Sequence, residues 1–171
     1  PTGKLPLTFY KSTSQLPDFE DYSMDNRTYR YFTGEPLYPF GFGLSYTKFE
    51  YSGLKLDGNI AACTVRNVGK IAGKEIAQLY IAPPKGDFHR PVRELKGFAK
   101  VELQPGESKE VIFALDDRSF AVWNGEWVIP GGTYTVEGGS SSDDIQLYQQ
   151  VEKAAVSLTA PKVPEWYFTP K

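Results

Sequence analysis

The residues with the most chemical potential are carboxylates, tyrosines and arginines near the start of the chain. Asp18-Phe-Glu-Asp21 clusters three acids, and Asp116-Asp117 and Asp143-Asp144 are further acidic pairs. Adjacent residues on an extended chain point in different directions. The first cluster therefore does not itself converge on one substrate atom and reads as a solvated loop, although Glu20 or Asp21 could reach the rim of a neighbouring domain's site. The two Asp pairs sit at expected strand ends and read as turn residues. Asn26, Arg27, Tyr29, Arg30 and Tyr31 form a different constellation. Tyrosine faces stack on pyranose rings, and Asn and Arg side chains bond hydroxyls. An arginine flanked by aromatics can equally be a structural cation–π clamp. Asn26-Arg-Thr28 is also a glycosylation sequon, which matters only in a eukaryotic secretory host.

Two familiar reaction classes lose their parts. Cys63 is the single cysteine and His89 the single histidine. The chain therefore forms no internal disulfide and no multi-cysteine or multi-histidine metal site. Cys63 lies in the alternating Ala61-Ala-Cys-Thr-Val65 and is expected as a small buried hydrophobe. His89, between glycine and proline in sequence, is expected on a surface loop.

These groups are embedded in a run, Tyr29 to Thr47, that is rich in aromatics and punctuated by Pro and Gly. It has neither helical nor strand periodicity. Apolar surface costs roughly 25 cal/mol per Å² to leave in water. The run therefore needs a surface to lie on: the chain's own core, a partner domain or a sugar. Gly41 and Gly43 permit a tight path that delivers Phe40 and Phe42 to that surface. Within residues 1 to 46 only Leu5 to Tyr10 reads as a strand, and so long a stretch of irregular chain is functional or depends on a partner.

From about Thr47 short alternating segments recur between turn signals. Strands are expected at Phe49–Leu56, with a bulge or bend at Ser52-Gly53, at Ala61–Val65, at Ile76–Ile81 and at Leu95–Leu103 with Phe98, Val101 and Leu103 as core candidates. Others are expected at Val111–Leu115, around a Trp123–Trp127 hairpin with Asn124-Gly125 at its tip, at Thr133–Val136, and as an edge at Ile145–Tyr148. Val151 to Leu158 could form a short helix. Seven or so short strands make an immunoglobulin- or fibronectin-III-like sandwich the leading all-β architecture, with a jelly roll or an open barrel as alternatives.

Composition supports a folded domain: 40% hydrophobic and 23% charged residues over 171 positions. The net charge of −2 gives no footprint for nucleic acid. No basic run suggests an anionic membrane surface, and no apolar stretch approaches the length of a membrane-spanning helix. The start, Pro-Thr-Gly, reads as a cut inside a longer polypeptide. The Pro-rich tail, with Trp166, Tyr167 and Phe168, reads as docked on something.

The chain resembles the C-terminal part of family 3 glycoside hydrolases. Thr2-Gly-Lys-Leu-Pro-Leu-Thr-Phe9 looks like the family's (S/T)-G-(K/R)-L-P-x-T-F strand at the end of its α/β sandwich domain. Leu37-Tyr-Pro-Phe-Gly-Phe-Gly-Leu-Ser-Tyr-Thr-Lys-Phe49 is similar to the signature that leads into its fibronectin-III-like domain. Val65-Arg-Asn-Val-Gly69, Gly73–Tyr80, Glu94–Phe98 and Leu103–Glu107 also follow the family pattern. Asn26–Phe32 with Gly34–Tyr38, and Val163–Tyr167, look most like β-xylosidase-type members, although β-glucosidases share most of the signature.

The resemblance implies three segments: residues 1–46, the end of the α/β sandwich domain and a linker; 47–158, the fibronectin-III-like domain; and 159–171, a tail. It implies a parent that is a retaining, exo-acting β-glycosidase, secreted or periplasmic, acting on plant-derived oligosaccharides without metal or other cofactor. Its partners would be the oligosaccharide and the upstream barrel and α/β domains. Retaining hydrolysis needs two carboxylates about 5 Å apart. In the family both lie upstream of the part that matches, so no catalytic residue is expected here. Asn26, Arg27, Tyr29, Arg30 and Tyr31 are the expected substrate contacts, at an outer subsite or rim. The competing reading is a stand-alone carbohydrate-binding or adhesion sandwich. If much of a parent lies outside this chain, many rings of the aromatic run should be under-buried.

Overall fold

The computed structural model describes residues 1–86 and 88–158, and the aromatic tail lies outside the described residues. The alternating segments form ten strands: β1 Phe49–Asp57, β2 Ile60–Asn67, β3 Gly73–Ala82, β4 Glu94–Leu103, β5 Ser108–Ala114, β6 Val122–Trp123, β7 Trp127–Ile129, β8 Gly132–Gly139, β9 Ile145–Lys153 and β10 Val156–Leu158. Among the described residues the one α-helix, α1 at Thr28–Tyr31, is a single turn.

Two antiparallel sheets, in the order β1-β2-β5 and β4-β3-β8-β9, face each other. A third small sheet, β10-β7-β6, flanks them. The strand order makes the molecule an all-β sandwich of the fibronectin-III type. The core comes from the inward positions: Ala61, Cys63 and Val65 of β2, Leu79 and Ile81 of β3, and Val136 of β8, all buried. Burial pushes the Cys63 thiol up to about 11, which makes it the inert hydrophobe its neighbours imply.

Local signals locate most boundaries. The β1–β2 register shifts between Ser52 and Lys55, where Ser52-Gly53 signals a bulge. The Gln104-Pro-Gly-Glu107 turn closes with the Glu107 amide donating to the Gln104 carbonyl at 3.0 Å. Trp123 pairs with Trp127 across the Asn124-Gly125 tip.

Three expectations are corrected. Phe98 is 70% exposed rather than in the core, because it shares the outward face of β4 with Lys100 and Glu102. Val151–Leu158 is not helical: its first residues extend β9, and Val156–Leu158 pairs with β7. Leu5–Tyr10 is extended but forms only the isolated bridge Phe9 to Tyr38.

That bridge has a role. Leu5 to Phe9 runs antiparallel to Leu37–Phe42, tied by the Leu5 amide to the Phe42 carbonyl at 2.8 Å, Gly41 to Leu5 at 2.8 Å and Phe9 to Tyr38 at 2.9 Å. Residues 1–46 thus fold on themselves and lie as a strap over the outer face of the β4-β3-β8-β9 sheet. β3 is covered on both faces over residues 77–81, which is why Ile76–Ile81 reads as a nearly continuous apolar run.

Candidate functional site

The strap meets the sheet through polar groups placed on a face that is usually wet. Gln78, Tyr80 and Glu137 project outward from β3 and β8, and all three are buried. Gln78 Nε2 donates to the carbonyls of Gly41 at 3.1 Å and Ser140 at 2.5 Å. Its Oε1 accepts from the Tyr80 hydroxyl. The Ser142 amide donates to the Phe40 carbonyl at 2.9 Å. Gly41 has φ +80°, and a Cβ placed there would sit 2.1 Å from Gln78 Oε1. The tight path at Phe40-Gly-Phe is therefore required twice, by the backbone conformation and by the glutamine beneath it.

Charge is buried with the amide. Arg93 Nε lies 3.0 Å from Glu137 Oε2, although the N–H is not aimed along the line of centres. Burial raises the Glu137 carboxyl above its ordinary range, with Arg93 opposing. Lys4 Nζ, from the strap, pairs with Glu75 Oε1 at 2.8 Å. Glu94 sits between two cations, Arg30 and Lys96, with Lys96 Nζ at 3.0 Å. Burial, with Arg30 and Arg90 nearby, pulls Lys96 down to about 8.

The five residues singled out by type divide between two jobs. Tyr29 stacks on Phe40 with centroids 4.2 Å apart, and its hydroxyl accepts from the Leu95 amide at 2.9 Å. Arg30 pairs with Glu94, and its carbonyl accepts from the Val92 amide at 2.7 Å. Both hold α1 to the sandwich. Tyr29 also lines a cleft of about 350 Å³ with Thr8, Phe40, Val92, Arg93 and Asp143.

Asn26, Arg27 and Tyr31 stand on the other side of α1. Tyr31 stacks on His89 at 4.9 Å, and His89 Nε2 lies 3.1 Å from Asp25 Oδ1 on the exposed surface. Arg27 reaches back into the preceding loop. It donates to the carbonyls of Ser23 at 2.9 Å, Asp18 at 3.4 Å and Asp21. Asn26 and Thr28 have φ of +55° and +53°. For a β-branched threonine that is a strained conformation.

Residue types alone missed what this loop presents. Phe19 is 94% and Tyr22 89% exposed. The Asp18 carboxylate accepts from the Glu20 amide at 2.9 Å, and that of Asp21 from the Ser23 amide at 2.8 Å. Hydrogen bonds from the Ser23 backbone and side chain, helped by the Arg27 charge, hold the Asp21 carboxyl below its ordinary value. The acids are thus committed to local turns, as a solvated loop requires. The interruption of the acidic run by two aromatics was the only available signal. Elsewhere in the strap Tyr29, Tyr31, Phe40 and Phe42 are half-buried, whereas Tyr38, Leu44 and Tyr46 are exposed.

The model of the fibronectin type III-like domain matches residues 75–142. Over 88% of its length the chain is 43% identical to thermostable β-glucosidase B of Acetivibrio thermocellus. It is 38% identical to the GH3 β-glucosidase of Bifidobacterium adolescentis, superposing at a TM-score of 0.80 over 97% of its length. The chain matches the part of family 3 glycoside hydrolases that carries their fibronectin type III-like domain. β-Glucosidase 3B of Thermotoga neapolitana, solved in complex with α-D-glucose, matches the chain at 40% identity and a TM-score of 0.84 over 92% of its length. A protein of Formosa agariphila named "Putative beta-xylosidase" is 42% identical over 84% of it. The chain spans about a quarter of the length of these relatives: 23% of the Acetivibrio enzyme, 21% of the Formosa protein, and 25% and 28% of the two solved chains.

Proposed function

We propose that this chain is the structural C-terminal portion of a retaining, exo-acting β-glycosidase that removes terminal β-D-glucosyl or β-D-xylosyl residues from plant-derived oligosaccharides, outside the cell or in the periplasm. The observation that carries the proposal is about 40% identity extending through strap and sandwich alike to enzymes named β-glucosidases. The identity is nearly the same toward a protein named for xylosides, so the proposal covers both sugars.

In this reading residues 1–46 close the α/β domain of the parent, residues 47–158 are the appended sandwich, and the nucleophile and acid/base lie upstream. Leu7, Phe9, Leu37 and Tyr38 are exposed along the strap's ladder. They offer a small apolar face of the kind that an adjoining domain covers. The carboxylates of the acidic loop are held in turns, which suits a supporting part rather than a catalytic pair.

The test has two arms. Purified residues 1–171 should not hydrolyse aryl-β-glucosides or aryl-β-xylosides, and the longer polypeptide encoded with them should. Turnover by the chain alone, abolished when Asp18, Glu20 and Asp21 are replaced together, would overturn the structural role. An inactive longer polypeptide would overturn the glycosidase reading.

A further inference from the structure

We propose that the loop Leu16–Arg27 is a carbohydrate-contact surface, with Phe19 and Tyr22 as its aromatic platform and β-linked gluco- or xylo-oligosaccharide as its ligand. The inference rests on the glycosidase reading for the class of sugar, but its geometry is independent of it.

Phe19 and Tyr22 are the two most exposed aromatic rings among the described residues, and they stand three positions apart on one loop. A flexible loop would fold such rings back onto the neighbouring apolar strap. This loop is held open. Arg27 spans three of its carbonyls with one guanidinium. Asp18 and Asp21 cap its turns. The Thr28 amide donates to the Tyr10 hydroxyl at 3.1 Å, and Asp25 is tied to His89 at 3.1 Å, so the base is anchored at two points. The strained backbone at Asn26 and Thr28 lies between those anchors. A groove of about 430 Å³ runs beside the rings, lined by Leu16, Pro17, Met24 and Arg27 among others.

The charge around the rings selects the occupant. Asp18, Glu20, Asp21 and Asp25 are interleaved with them. The buried centre of a protein interface is depleted in Asp and Glu. Carboxylates only accept hydrogen bonds. A pyranose supplies the complement: hydroxyl donors at its rim for the carboxylates and an apolar C–H face for the rings. A second protein domain would have to strip water from the acceptor positions that the Glu20 and Ser23 amides and His89 leave unfilled on Asp18, Asp21 and Asp25. Fixed presentation also lowers the ordering cost of binding. The constellation Asn26, Arg27, Tyr29, Arg30 and Tyr31 then serves the sugar indirectly, by building the platform.

The test is titration of the 15N-labelled 171-residue chain with cellotetraose and, separately, xylotetraose, followed by amide shifts. Saturable shifts confined to residues 16–27 are expected, and the sugar giving the tighter curve identifies the preference. The Phe19→Ala/Tyr22→Ala variant should bind at least about tenfold more weakly, with an unchanged melting temperature because both rings are solvent-exposed. Absence of shifts at millimolar sugar would overturn the proposal, as would shifts that persist in the double variant. Neither result depends on whether the longer polypeptide hydrolyses a glycoside.

Discussion

At the scale of single residues, the polar groups under the strap carry the sharpest expectations. Gln78 satisfies two backbone carbonyls and a tyrosine hydroxyl from one buried amide. Gln78→Leu fills the same space but orphans all three, so denaturant unfolding should show a loss of about 3 kcal/mol. Glu137 should shape the pH dependence. Its carboxyl is raised by burial above the ordinary 4.5. Stability that it contributes is therefore present below that value and is lost as pH rises through the folded-state value. Relative to wild type, Glu137→Gln should gain stability between pH 4 and the neutral range. A gap that stays constant with pH would show that the carboxyl is not perturbed. Cys63, pushed up to about 11 and buried, should react with a disulfide reagent only on unfolding.

At the scale of elements, alternation located the strands of the sandwich because each has one wet face and one dry face. It failed where that condition fails. Phe98 stands an odd number of residues from Val101 and Leu103, so the sheet's outward side takes it. β9 and β10 carry Val151, Val156 and Leu158 at spacings that suit a helical stripe as well as two strands joined by a short link. The strap has no periodicity to read, since its order comes from contacts more than thirty residues away in sequence, such as Gly41 to Gln78. Of the site, the glycines and the aromatic density were legible. The job of Arg27 was not, since a guanidinium that binds carbonyls looks the same in sequence as one that binds hydroxyls. Gly41→Ala tests the strap as an element. It forces a residue with a Cβ to φ +80° and into Gln78, so it should cost more than the roughly 1 kcal/mol of an ordinary left-handed alanine. Increased amide exchange at Leu5 and Phe9, while β2 stays protected, would place the damage in the strap.

At the scale of the whole molecule, the strap and the sandwich form a three-layered body in which the centre of the middle layer, along β3 and the end of β8, has no solvent face. Removing residues 1–46 should therefore do more than shorten the protein. It uncovers Tyr80, Gln78, Glu137 and Arg93 together, and the remaining 47–171 chain should unfold at a lower denaturant concentration than the intact chain. An unchanged midpoint would mean that the strap rests on the sheet without stabilising it. The buried amide and carboxylate on the outer side of β3 and β8 also bear on how such a gene can change. A recombination event that joins a new coding sequence at Thr47 would deliver a sandwich whose outer sheet is chemically wrong for water. Successful exchanges of this domain between genes should therefore break upstream of Pro1 rather than at the first strand, so that the strap and the sheet it covers are inherited as one piece.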